Sequence, residues 1–121
     1  MSEQVTKRDS VAGSIRIANE VIASIAGLAA LEVEGVAGLD HPNASHFGDW
    51  LKRETVHQGV RVALDVEREL HLEVFLTAKS TAMLNQVAAE VQVKVIEAVE
   101  RMLDLRVSEV NVLVSSIDFA D

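Results

Sequence analysis

The chain has 121 residues, a length that favours a single domain and suffices to bury a core without disulfides or metal staples. It has no cysteine, which excludes a disulfide framework, Cys-ligated zinc and a thiol nucleophile. Hydrophobic residues make up 49%, too many for a disordered chain, while the formal charge of −8 opposes nucleic acid and anionic lipid as partners.

In chain order, residues 1–13 are polar and read as a flexible arm, leaving 14–121 as one domain. Ile15 and Ile17 alternate with Ser14 and Arg16, the pattern of a short strand. Asn19 is placed to cap a helix running to about Leu31, with Glu20 at its positive end. Val21, Ile25 and Leu28, widened by Ile22 and Ala29, form the expected core stripe. The run Val21 to Leu31 is little more than half of the roughly 20 apolar residues a membrane span needs. The polar start of the chain lacks the apolar core of a signal peptide, so a cytoplasmic location is expected.

The helix stops near Gly35, and a short strand follows through Val36 and Leu39. The G-x-x-G from Gly35 to Gly38 has the spacing of a KH-domain phosphate clamp. Glu32, Glu34 and Asp40 surround it and repel phosphate, so Gly35 reads instead as a backbone joint between helix and strand. Residues 40–58 hold the only proline and read as a loop, with Phe47, Trp50 and Leu51 spaced for one amphipathic turn. His41, His46 and His57 with Asp40 and Asp49 supply metal-ligand types, but without the spacing that preorganises a zinc site. No metal and no cofactor is assigned.

The middle of the chain alternates cleanly. Val60, Val62, Leu64 and Val66 share one face, and Leu70, Leu72, Val74 and Leu76 share the same face of a second strand. This β-hairpin has one aliphatic face to be covered and one polar or mixed face for solvent or a partner. Ser80 or Thr81 is placed to cap a second helix ending near Leu103, with the stripe Leu84, Val87, Val91, Val95, Val99 and Met102. Val110, Val112 and Val114 then mark one face of a closing strand. The order β-α-β-β-β-α-β gives an α+β fold, two helices on one face of a mostly antiparallel sheet.

No serine lies in a strand-turn-helix elbow, and no nucleotide-binding glycine loop is present, so the chain reads as a non-enzyme. The acids Asp65, Glu67, Glu69 and Glu73 read as a solvated strand face rather than a catalytic pair. Candidate contact surfaces are apolar instead. Ala23, Gly27 and Ala30 form a second, small-residue stripe on the first helix, and Ala89, Val93 and Ile96 lie off the main stripe of the second. These six serve either helix-helix packing within the chain or contact with a copy or a partner helix. Phe75 and Leu113, on the mixed sheet face, add a second contact surface.

Several stretches, in order, resemble the alkaline shock protein family of envelope stress response proteins in Gram-positive bacteria. They are I-x-x-E-V-I-x-x-I-A at Ile17–Ala26, E-x-E-G-V at Glu32–Val36, G-V-x-V at Gly59–Val62, Q-x-K-V-x-x-A-V-E-x-M at Gln92–Met102, and V-N-V-x-V at Val110–Val114. The resemblance covers about residues 13–119. It implies a non-enzymatic scaffold or adaptor of the cell envelope, self-associating and held near the inner face of the membrane by a separate anchor protein. A regulatory module for a lipid-metabolism partner is the alternative it leaves open, and an RNA-binding domain is a third reading that the charge opposes. Many members carry Tyr-Gly after the second hairpin strand, where this chain has Ala78-Lys79.

Overall fold

A computed structural model describes residues 17–40 and 52–120. Its elements are α1 (Asn19–Leu31), β1 (Val36–Leu39), β2 (Lys52–His57), β3 (Val60–Leu64), β4 (Leu70–Lys79), α2 (Leu84–Leu103) and β5 (Val107–Asp118). The expected strand at 14–17 lies outside the described residues except for Ile17, which is not in a strand.

Strand β4 is the centre of the sheet. Its residues from Leu70 to Lys79 pair in parallel with β5 along one edge. The other edge is shared: β3 pairs antiparallel with Leu70–Val74, and β1 pairs antiparallel with Leu76–Ala78. The backbone of Phe75 marks the junction, donating to the Gly59 carbonyl and accepting from the Asp40 amide. β2 lies outside β3. The parallel β4–β5 pair requires a crossover, which α2 supplies.

The strand β2 corrects the expectation of a continuous 40–58 loop. Gln58 and Gly59 both take positive φ, 48° and 86°, forming the two-residue turn that matches strand twist. Gly59 is required there twice over, because an added Cβ would lie 2.8 Å from the Asp40 carbonyl oxygen. Asp65 organises the β3–β4 turn by accepting from the amides of Glu67 (2.8 Å) and Glu69 (3.0 Å).

The helices cover the aliphatic face formed by Val60, Val62, Leu70, Leu72, Val74 and Leu76, all buried. α2 buries Val87, Val91, Val95 and Val99, the centre of its expected stripe, while Leu84 and Met102 at the stripe's ends stand open. Its N-cap is Met83 without a side-chain hydrogen bond, not Ser80 or Thr81, because those residues form a turn closed by Ala82 donating to the Lys79 carbonyl. α1 likewise starts after Ala18 rather than being capped by Asn19.

α1 is turned by part of its face relative to expectation: Ile22 and Ala29 of the expected stripe are buried and Ile25 packs against the core, but Val21 and Leu28 do not pack there. Its buried residues are Ile22, Ala23, Ala26, Gly27, Ala29 and Ala30. Val21 and Leu28 of the expected core stripe are 46% and 64% exposed. Close approach is one reason: a Cβ built on Gly27 would stand 3.0 Å from the Leu39 side chain, so at that turn α1 sits close to the sheet and a small residue is needed, while Ile22 is buried elsewhere beneath the helix.

Candidate functional site

The sheet face opposite the helices carries the polar side chains of the hairpin. Register places Arg61 beside Glu73 and His71 beside Glu109. Arg61 Nε lies 3.2 Å from Glu73 Oε1, with both side chains buried. The Arg61 guanidinium also stands over the Phe75 ring, 5.5 Å from its centroid. His71 lies between two carboxylates, Nδ1 at 2.7 Å from Glu109 Oε1 and Nε2 at 2.9 Å from Asp65 Oδ2. Both ring nitrogens are therefore engaged by carboxylate oxygens from different elements. Asp65 has its acidity strengthened, first by the Glu69 amide and then by His71. Farther along, Ser115 and Ser116 donate to Asp40 Oδ2 at 2.7 and 3.2 Å.

This face is not the solvent-facing surface that alternation suggested. Arg61, His71, Glu73 and Phe75 are at most 3% exposed. Charged residues are tolerated there because each is set against an opposite partner across the strands. The arrangement ties the hairpin to β5. Both nitrogens of His71 are engaged, so the ring is not poised as a base or a ligand. The two serine hydroxyls donate directly to the Asp40 carboxylate, joining β5 to the end of β1.

The eight residues marked by sequence separate into buried and open groups. Ala23, Gly27 and Ala30 lie in the core beneath α1, and Phe75 is buried on the far sheet face. Ile96 and Leu113 are partly buried. Ala89 and Val93 stand open on α2, Val93 at 55%. Of the histidines and carboxylates set aside above as a metal site, His41, His46 and Asp49 lie outside the described residues. Asp40 and His57 remain, Asp40 being engaged by the serines.

Sequence reasoning missed the outward face of α1. Val21, Leu28 and Leu31 are 46%, 64% and 45% exposed, and Val21 and Leu28, seven residues apart, lie within about 20° of each other around the axis. A helix apolar on every side is normally covered on every side. The usable signal was the shortage of charge: Glu20 is the one charged residue in the thirteen of α1.

Gly35 makes the joint from α1 into β1. Its φ is +102°, and an added Cβ would lie 2.7 Å from Val87 Cγ2 on α2. The glycine therefore brings the end of α1 against the first turn of α2, and the acidic G-x-x-G is a structural joint. A family model for alkaline shock proteins, described by a cell envelope-related function, matches residues 7–119. The chain belongs to the alkaline shock protein family. YloU of Bacillus subtilis (strain 168) is 33% identical over 107 residues, covering 87% of this chain and 88% of YloU. YqhY of the same organism is 31% identical over 111 residues, covering 92% and 82%. A solved variant of MamM CTD aligns over 83% of this chain and 98% of its own with a TM-score of 0.48 and 18% identity. Among the described residues, the glycines that take positive φ are Gly35 and Gly59, which lie in the E-x-E-G-V and G-V-x-V stretches of this chain.

Proposed function

We propose that this alkaline shock protein is a non-enzymatic adaptor of the cell envelope that works by protein-protein contact through its helical layer. The outward face of α1 carries the reading: three large aliphatic side chains stand exposed opposite the core, with Glu20 and Ser24 the polar residues beside them. Family membership supports the envelope setting. The occupied polar groups of the far sheet face favour contact over chemistry. No helix among the described residues is long and apolar enough to cross a membrane, so association with the membrane's inner face would run through a protein anchor. Co-purification from cells of tagged full-length protein and its Leu28→Asp variant tests the proposal. The variant should fold as the parent does, by circular dichroism, and lose the parent's envelope partner. Retention of every partner by the variant argues against it. Recovery of a lipid-synthesis enzyme instead of an envelope anchor selects the regulatory alternative.

A further inference from the structure

β2 and β5 both lie at the margin of the sheet, and they differ in charge. β2 opens with Lys52, Arg53 and Glu54, a charged edge of the kind that discourages further pairing. β5 runs for twelve residues and, among the described residues, pairs only with β4. Its central run from Val110 to Val114 has no charge and no proline. Two side chains of α2 mark the side of β5 that faces away from β4. Glu100 Oε2 accepts from the Val107 amide at 3.0 Å, and Gln92 Nε2 donates to the Val110 carbonyl at 2.9 Å. The amide and carbonyl of one strand residue point to the same side, and the side alternates along the strand. Val112 and Val114 therefore present their backbone groups on the same open side as Val110, and among the described residues no side chain meets them.

The flank of α2 beside this edge is apolar. Ala89 and Ile96 lie between Gln92 and Val93 around the helix axis. Ala89 and Val93 are exposed and Ile96 is half-buried. α2 runs antiparallel to β5, with Gln92 at Val110 and Glu100 at Val107, so Ala89 lies toward the level of Val112. An open strand edge and an open apolar helix flank thus adjoin around Val112.

The charges of β5 match a second copy in one register. The open backbone groups of two such edges meet only where even-numbered residues oppose even-numbered ones. Bulges at Ser108 and Ser115 confine regular pairing to Glu109–Val114, which leaves twofold centres at Asn111 or Val112. Centred on Asn111, Arg106 opposes Ser116 and Asp118 falls beside the copy's Asp104, like charge on like. Centred on Val112, Arg106 opposes the copy's Asp118 at both ends, Val110 opposes Val114, and Glu109 opposes the uncharged Ser115. Each half holds one bulge, so the two halves keep step. Arg106 and Asp118 are both exposed.

We propose that the open edge of β5 pairs antiparallel with β5 of a second copy about a twofold axis at Val112. The pairing joins both chains into one sheet and brings the two α2 helices together at Ala89 and Val93. The small side chain of Ala89 permits that approach. Gln92 does not block it, because a carbonyl oxygen has two lone pairs and Val110 can accept from both Gln92 and the copy's Val114 amide. The surface is separate from the outward face of α1 and goes beyond the contact reading above.

Sedimentation equilibrium of the full chain should show monomer and dimer in exchange at about 100 μM, since a pairing of this extent falls in the weak class. Arg106→Asp or Asp118→Arg alone sets like charges together at both ends and should weaken the dimer about fivefold at low salt; the two combined should restore it. Val112→Pro removes the open amide at the axis and spares the β4 ladder, so it should abolish the dimer while the circular dichroism stays that of the parent. Val93→Asp, at an exposed position, should weaken the dimer as well and serves where Val112→Pro fails to fold. A chain that stays monomeric at about 100 μM overturns the proposal, whether its own residues or a partner's strand cover the edge. A dimer that none of these variants weakens overturns it too, as does a double charge reversal no better than the single ones. Leu28→Asp should leave the dimer intact. A dimer lost in Leu28→Asp and kept in Val93→Asp belongs to α1, which overturns this pairing and leaves the contact reading standing.

Discussion

α1 and α2 lie on the same face of one sheet, yet the sequence gives a direction only to α2. On α2 the valines at 87, 91, 95 and 99 are interrupted by Glu90, Gln92, Lys94 and Glu97, so the polar residues define an outside and the valines turn inward. α1 has no such outside. With Glu20 its single charge, periodicity cannot choose between the large residues and the small ones. Fit decides: the sheet is close enough at Gly27 that alanine and glycine, together with Ile22, go beneath and Val21, Leu28 and Leu31 are left outside. Hydrophobic periodicity locates a buried face only where a polar face opposes it.

The largest expected contrast lies on α2. Val95 is fully buried and Val93, two residues away, is 55% exposed. Val95→Asp buries an unpaired charge and should cost at least about 4 kcal/mol, enough to unfold the chain, while Val93→Asp should change stability by no more than about 0.5 kcal/mol. Urea unfolding of both variants checks this; equal losses would mean that α2 is not one-sided.

α1 should show the reverse of what residue size suggests. Ala26→Leu, an addition of apolar bulk at a fully buried position, should destabilise by about 1–3 kcal/mol. Leu28→Ala, a removal, should stay within about 0.5 kcal/mol, because Leu28 is 64% exposed. Thermal unfolding of the pair reads the orientation of α1 directly. A large loss for Leu28→Ala with none for Ala26→Leu would restore the sequence-based stripe.

At the joint between the helices, Gly35→Ala combines a φ of +102° with a Cβ 2.7 Å from Val87. A loss of about 1–3 kcal/mol is expected from the backbone conformation. Gly38→Ala, where an added Cβ meets nothing within 4 Å, serves as the control and should be milder. Equal effects at the two glycines would remove Gly35's role in joining α1 to α2.

The smallest effect lies away from both helices, at Asp65. Its folded pKa is lowered from 3.8 by the Glu69 amide and by His71. A lowered carboxyl stabilises the fold fully above its unfolded pKa, and that contribution is lost as pH falls through the folded value. Asp65→Asn should therefore flatten stability against pH below about pH 4 and reduce stability slightly at neutral pH. An unchanged acid limb would show that Asp65 carries no such linkage.

Much of the fold was legible because two regular patterns were clean. The alternation from Val60 to Leu76 specified the hairpin and its aliphatic face, and the α2 valines specified what covers it. Gly35 was readable as a joint because its acidic neighbours excluded a phosphate. β2 was hidden by its composition. Lys52, Arg53 and Glu54 suit an edge strand, where charge discourages further pairing, but they resemble a loop, and Gln58-Gly59 is not a common turn signal. The polar face of the hairpin was misjudged because alternation reports polarity, not exposure. Arg61 with Glu73, and His71 between Asp65 and Glu109, are partners from different strands, whose meeting depends on register that the sequence does not display. The small-residue stripe Ala23–Gly27–Ala30 was visible, but the structure uses it within the chain. The exposed outer face of α1 holds Val21 and Leu28, which were first assigned to the core, together with Leu31.

The most direct measurement of the central claim, that the outward face of α1 is a contact surface, is a comparison of thiol modification rates in intact cells and in purified protein. Leu28→Cys reports on α1, and Val66→Cys, at a position 66% exposed in the β3–β4 turn, serves as the reference. The account predicts fast modification at both positions in the purified full chain, and selective protection at position 28 in cells. Equal reactivity of the two positions in cells, with both as fast as in the purified protein, would contradict it.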